Sequence, residues 1–170
     1  MDAAALQDNV VTRAAAVEFG SDLAEIVAGR ADIMALTQAT HDAILRPRSV
    51  GGISYAERAA FACRIARLND DEILARHYEQ LLAEQAGADE IAKQLVDPSF
   101  DGADDRRLAA LLRHIDLVTQ SPKNASVADI NSLKDAGVTE ADIVRLSEII
   151  AFVNYQVRVV AGLRLLEGLA

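Results

Sequence analysis

Few side chains in this sequence could carry chemistry, and their spacing limits what that chemistry can be. His77 is one of three histidines in the chain. A histidine that moves protons needs a partner within hydrogen-bond reach, and Glu57, in the preceding helical segment, is the candidate for that role. The alternative is an imidazole at the edge of the core with its ring satisfied, because Ile73 and Leu81 stand four residues to either side on one helical face. Cys63 is the single cysteine, so no internal disulfide or multi-cysteine metal site can form. It could react with peroxide to give a sulfenic acid, but it falls mid-helix among small residues and reads as a buried, inert thiol. Arg158 follows Asn154 and Tyr155 and has two readings: it binds a ligand carboxylate in a pocket, or it pairs with Glu148 or Glu167. Asp70, Asp71 and Glu72 offer acids to a metal, yet a capped helix start has the same composition. His41 and His114 lie on separate helices without His-x-x-x-His spacing, so no metal site is expected. No motif asks for a cofactor.

Most of these residues belong to one stretch, Gly52 to His77, and part of it returns later. Gly52–Asp70 overlays Gly137–Tyr155 without a gap at an offset of 85 residues. Gly52/Gly137, Ala56/Ala141, Ile65/Ile150, Ala66/Ala151 and Asn69/Asn154 are identical, and Ile53/Val138, Ser54/Thr139, Glu57/Asp142, Phe61/Leu146 and Leu68/Val153 are conservative. The pattern predicts either one duplicated helical unit or two helices that share a start signal. Ser54 and Thr139 are N-cap residues, and Glu57 and Asp142 can answer back to the cap N–H. At 100° per residue, Phe61, Ile65 and Leu68 share an arc, as do Leu146, Ile150 and Val153. The back of the first helix is small (Ala59, Ala62, Cys63, Ala66), which lets a neighbouring backbone approach closely.

The rest of the chain is helical in pattern. Four Phe, three Tyr and no Trp among 170 residues leave the core to Ala and Leu, which favours helix. Residues 3–19 are Ala-rich. Ser21 caps a segment ending at Gly29, a periodic run follows to just before Pro47, and 46–52 is a loop. Further helices are expected over about 71–86, 88–96 and 106–119, then from Ser126, and without interruption through 140–160. The segment 97–105, with Pro, Gly and four acids, is the clearest boundary. It divides a single domain over 1–170 into a first helical unit of about 1–96 and a second of about 106–170. The fold class expected is all-α, with about eight helices.

A net charge of −9 argues against nucleic acid and against an anionic membrane surface. The N-terminus MDAAALQDNVV lacks the basic region of a signal peptide, and uncharged runs are short for a bilayer span. The expectation is a cytoplasmic protein. The ending AFVNYQVRVVAGLRLLEGLA is more apolar than a monomer should leave exposed, which predicts a homo-oligomer using surface from the second unit.

The stretch ISYAERAAFACRIARLNDDEILARHYEQLL at 53–82 resembles the carboxymuconolactone decarboxylase / alkylhydroperoxidase D-like family, marked by a helical Glu followed by Asn-Gly-Cys-x-x-Cys-x-x-x-His. The ending is similar to the family's Phe-Asn-x-x-x-Arg-x-x-x-Gly-Leu through Asn154, Arg158, Gly162 and Leu163. The chain looks most like a subgroup with GG-[LI]-S-x-x-ER near the middle and FV-x-[FY]-QVRV-x-AGLR at the end, over roughly its whole length. The resemblance implies the family's all-α fold with two related units, oligomeric assembly and peroxidase-related function. It also locates the departures. Counting back from His77, the two cysteine positions are Asp70 and Ile73, and the relay Glu falls near Arg58 or Ala59, just past Glu57. Without the thiol pair, dithiol peroxidase turnover is not expected. The remaining readings are a decarboxylase- or lactonase-like acid–base enzyme using His77 and Glu57, a redox-inactive accessory subunit partnered with a cysteine-bearing relative, or a small-molecule binding protein using Arg158 and His77.

Overall fold

The computed structural model describes residues 8–18, 20–85 and 90–168. Among them the chain is all-α. Nine helices form and no strand: α1 Val10–Ala14, α2 Asp22–Ala28, α3 Ala31–Leu45, α4 Tyr55–Leu68, α5 Glu72–Ala83, α6 Glu90–Gln94, α7 Arg106–Gln120, α8 Val127–Asp135 and α9 Glu140–Glu167, with a 3-10 turn at Pro122–Asn124. Among the described residues of the Ala-rich start, helix forms over α1. It breaks at Ala15 and Ala16, the latter at φ 56°. Residues 3–7 and 19 of that segment, and 88–89 ahead of α6, lie outside the described residues.

The cap signals act as their chemistry requires. Ser54 Oγ accepts from Glu57 N at 3.1 Å and Glu57 Oε2 accepts from Ser54 N at 2.7 Å, closing a capping box on α4. Asp71 Oδ1 accepts from Leu74 N at 3.0 Å and starts α5. Thr139 Oγ1 accepts from Asp142 N at 3.2 Å at the head of α9. Asp142 departs from the expected box. Its carboxylate accepts from Thr139 Oγ1 at 2.6 Å, from Gly52 N at 2.9 Å and from Arg145 at 2.9 Å, so it ties the start of α9 to the start of α4.

The two look-alike segments lie against each other. Asn69 Nδ2 donates to Asn154 Oδ1 at 3.2 Å, and each asparagine also donates to the carbonyl one turn back, Ile65 O at 2.8 Å and Ile150 O at 2.9 Å. With Gly52 at Asp142 and Asn69 at Asn154, α4 and the first half of α9 run side by side in the same direction. Phe61, Ile65, Leu146 and Ile150 are all buried between them and their neighbours. The shared glycine serves two purposes. A Cβ on Gly52 would lie 2.5 Å from Asp142 Oδ2, so glycine permits that close approach, whereas Gly137 has open space and a φ of 86°.

The two segments differ on their backs. The chain turns at Asp70, which takes φ 58° as aspartate tolerates, and α5 folds back over Ala59, Ala62, Cys63 and Ala66 of α4. In α9 the equivalent point is Tyr155, and the helix runs on. Val144, Ser147, Glu148 and Ala151, the counterparts of the covered residues, stay exposed. Glu148 and Ala151 border an apolar groove against α3 lined by Ile33, Leu36, Ile44, Phe152 and Tyr155. By length and composition α9 could also cross a membrane. Its Leu146, Ile149, Ile150, Val153, Val157 and Val160 are buried in the core.

Helix α4 also carries two arginines inside the protein, 2% and 1% exposed. Arg58 donates to the carbonyls of Ile53 (3.0 Å), Ile44 (2.8 Å) and Val50 (2.9 Å), which closes the 46–52 loop onto the end of α3. Arg64 pairs with both carboxylate oxygens of Asp116 on α7 (2.7 and 2.6 Å) and donates to the carbonyls of Asp97, Pro98 and Phe100. The non-helical 97–105 segment is therefore anchored to α4 at its start. Replacing Arg64 with leucine strands a carboxylate and three carbonyls, and should destabilise the protein by ~3–5 kcal/mol in urea unfolding; a loss below ~1 kcal/mol would contradict this anchoring role.

Candidate functional site

The histidines of α3 and α5 meet because α4 holds both helices. Arg58 fixes the C-terminal carbonyl of α3 at Ile44. On the other side the small residues of α4 let α5 come close enough for the Cys63 thiol to donate to Ala75 O at 3.3 Å. His41 on α3 and His77 on α5 then stand with Nε2 to Nε2 at 3.0 Å and ring centroids 5.1 Å apart. Tyr78 stacks beside His41 at 6.0 Å, and Phe152 from α9 meets it edge-on at 6.3 Å. The Tyr78 hydroxyl donates to Gln156 Oε1, and Gln156 Nε2, wholly buried, has no partner among the described residues.

The shorter hydrogen bonds assign the tautomers. His41 Nδ1 lies 2.9 Å from Asp42 Oδ1. An ionised carboxylate only accepts, so Nδ1 of His41 carries the proton. Neutral His41 then has a lone pair on Nε2, and His77 must supply the proton of the 3.0 Å bond from its own Nε2. That leaves the lone pair of His77 on Nδ1. Gln38 steadies the carboxylate end: its amide nitrogen donates to Asp42 Oδ1 at 2.9 Å while its oxygen accepts from Val10 N at 2.9 Å. The result is an aspartate–histidine–histidine chain ending in a free imidazole nitrogen.

His77 lines a cavity of about 280 Å³ with Val10, Arg13, Ala14, Ile73, Arg76 and Gln80. Burial pushes its pKa down to about 4, and the adjacent His41 ring and the Arg13 guanidinium act in the same direction. Burial also lowers His41, against the opposing pull of Asp42. Both rings are therefore neutral near pH 7, as two imidazolium groups 3.0 Å apart could not be.

The other sequence-derived residues occupy different places. Glu57 answers Ser54 and pairs with Arg107 Nη1 at 2.6 Å, in a separate cavity with Asp105 and Leu108. No hydrogen bond joins it to His77, whose partner is His41 instead. Asp70 is exposed at the turn, and Ile73, 42% exposed, forms part of the His77 cavity wall. Arg158 is exposed and donates to Asn154 O of its own helix at 2.7 Å; among the described residues it has no ion pair and does not reach His77. Cys63 is fully buried and its thiol is pushed up to about 12 by burial, so it is a packing residue. Asp71 pairs with Arg164, which also donates to Ala14 O and so ties α9 to the start of α5 and the end of α1. Among the described residues no group of three or more His, Cys, Asp or Glu is placed to hold a metal. Comparison with protein-family models, with curated proteins and with solved structures finds no match.

The sequence carried a partial signal for the site. Gln38, His41 and Asp42 cluster polar groups near the end of α3, but nothing local says that His41 meets a residue 36 positions away.

The depressed imidazoles set a pH dependence. Around His77 stand His41 with Asp42 behind it on α3, Arg13 on α1 and Arg76 on its own helix. His77 holds its proton less tightly in the folded chain than in the unfolded one, so its contribution is intact above about 6.5 and is lost as pH falls toward 4. Urea midpoints measured across that window should drop with pH in the wild type, and less steeply in His77→Gln. Parallel slopes would show that the ring titrates normally.

Proposed function

We propose that this chain is a helical protein of the carboxymuconolactone decarboxylase / alkylhydroperoxidase D-like kind in which acid–base chemistry at His77 stands in place of a dithiol cycle. The observation that carries this reading is the 3.0 Å bond between His41 Nε2 and His77 Nε2, backed by Asp42. It leaves a basic nitrogen, Nδ1, on a ring that lines a cavity. When Nδ1 takes a proton from a bound molecule, His77 keeps its Nε2–H bond to His41, whose own Nδ1–H is held by the Asp42 carboxylate, so the ring stays oriented toward the cavity during the transfer. Burial, the neighbouring His41 ring and Arg13 oppose the resulting positive charge, so the proton is held briefly and is available for return. Asp70 and Ile73 supply neither an attacking nor a resolving thiol, and the buried Cys63 thiol cannot replace them.

The test uses two assays. Dithiol-dependent reduction of an organic hydroperoxide should be absent in the wild type and unaffected by Cys63→Ser. Proton exchange or elimination on a small organic acid should depend on His77, with an acid limb near 4 instead of near 6.5, and should be lost in His77→Ala. Robust peroxide turnover that Cys63→Ser abolishes would replace this reading with a single-cysteine peroxidase.

The open face of α9 favours a second, compatible reading, self-association. On α4 the matching face is covered by α5, whereas on α9 it is bare beside the exposed Leu36 and Tyr155 of the groove. The occupant that reproduces the α4 packing is a helix from a second copy of the chain. Sedimentation should give a dimer or larger at micromolar concentration, and Ala151→Glu should shift it to monomer; a wild-type monomer would contradict this.

A further inference from the structure

We infer that the His77 cavity is a binding site for a small organic acid, held by its carboxylate at Arg13 and Arg76 with a proton-bearing hydroxyl directed at His77. The inference rests on the proposed role of His77 for the hydroxyl contact but not for the carboxylate. The chain is strongly acidic, yet this cavity is lined by two arginines and by no carboxylate. Seven other arginines pair with an acid, Arg46, Arg64, Arg67, Arg107, Arg113, Arg145 and Arg164, and the rest without an acid partner, such as Arg58 and Arg158, do not line this cavity. Arg13 and Arg76 have no such partner among the described residues, although they border one cavity. Two arginines lining one space can match the paired oxygens of a carboxylate, and charge-assisted bonds of this kind are the strong ones.

The remaining walls limit the rest of the molecule. Val10, Ala14 and Ile73 are apolar and suit a short hydrocarbon portion, and Gln80 adds an amide at the rim. The volume of about 280 Å³ suits a short-chain acid. His77 Nδ1 is an acceptor, which disfavours a carboxylate oxygen against it and favours an O–H. A 2-hydroxy acid meets both requirements, with anion at the arginines and hydroxyl proton at the imidazole.

Calorimetric titration with 2-hydroxybutanoate, butanoate and 2-hydroxybutanamide tests this on the full chain. Both acids should bind and the amide should not, and 2-hydroxybutanoate should bind more tightly than butanoate. Arg13→Ala and Arg76→Ala should each weaken both acids by about tenfold or more. Both side chains are exposed, so the variants should keep the wild-type circular dichroism and unfolding midpoint. His77→Ala should erase the advantage of the hydroxy acid while leaving butanoate affinity within about twofold. Absence of butanoate binding at about 10 mM, or affinities unchanged in both arginine variants, would overturn the anion site. Equal affinities for the two acids in the wild type, with the arginine dependence intact, would overturn only the His77 contact.

Discussion

The structure depends on α4 being enclosed on every side. From Arg58 to Ala66 each residue of this helix is buried, including two arginines. A guanidinium cannot lose its charge to escape burial, so each must be met by acceptors. Arg58 takes three carbonyls, of Ile44 in α3, Val50 in the loop behind it and Ile53 just beyond, and Arg64 takes Asp116 and the carbonyls at 97–100. Segments that sequence reads as a loop and a boundary are therefore fixed in place by the core helix. This ordering reaches the candidate site directly. Arg58 sets the end of α3, close-packed Ala and Cys residues set the approach of α5, and His41 and His77 meet as a result.

Much of the helical layout was legible because it is written locally. Ser54 with Glu57, Asp71 with Leu74, and Thr139 announce helix starts through hydrogen bonds that span three residues or fewer. The 85-residue echo was legible too, and its strongest structural counterpart is the Asn69–Asn154 contact between equivalent positions. What the echo did not reveal is that Gly52 and Gly137 are identical for different reasons, and that α9 runs straight where α4 turns back. The turn needs Asp70 in the left-handed region and an acid to cap the next helix, and Tyr155-Gln156 offers neither.

The site was half legible. His77 stands out in the sequence, but its partner is decided by helix packing, and spacing along the chain pointed to Glu57. Glu57 is occupied at the helix start with Ser54 and Arg107. Arg58 and Arg64 look like surface charge on paper, since arginine is rarely buried unless its neighbours are known. Arg13 and Arg76 pose the converse difficulty: that they share a cavity follows only from the packing of α1 on α3 and α9, which brings it beside α5.

The candidate site depends on one arrangement of protons, Asp42 accepting from His41 Nδ1 and His41 Nε2 accepting from His77 Nε2. Nitrogen-15 NMR of the imidazoles near neutral pH reads it directly. That arrangement requires neutral rings of opposite tautomer, His41 protonated on Nδ1 and His77 protonated on Nε2, with a hydrogen-bond coupling between the two Nε2 atoms. His77 protonated on Nδ1, or a cationic His77 at that pH, would contradict it, because the ring would then have no lone pair to offer the cavity.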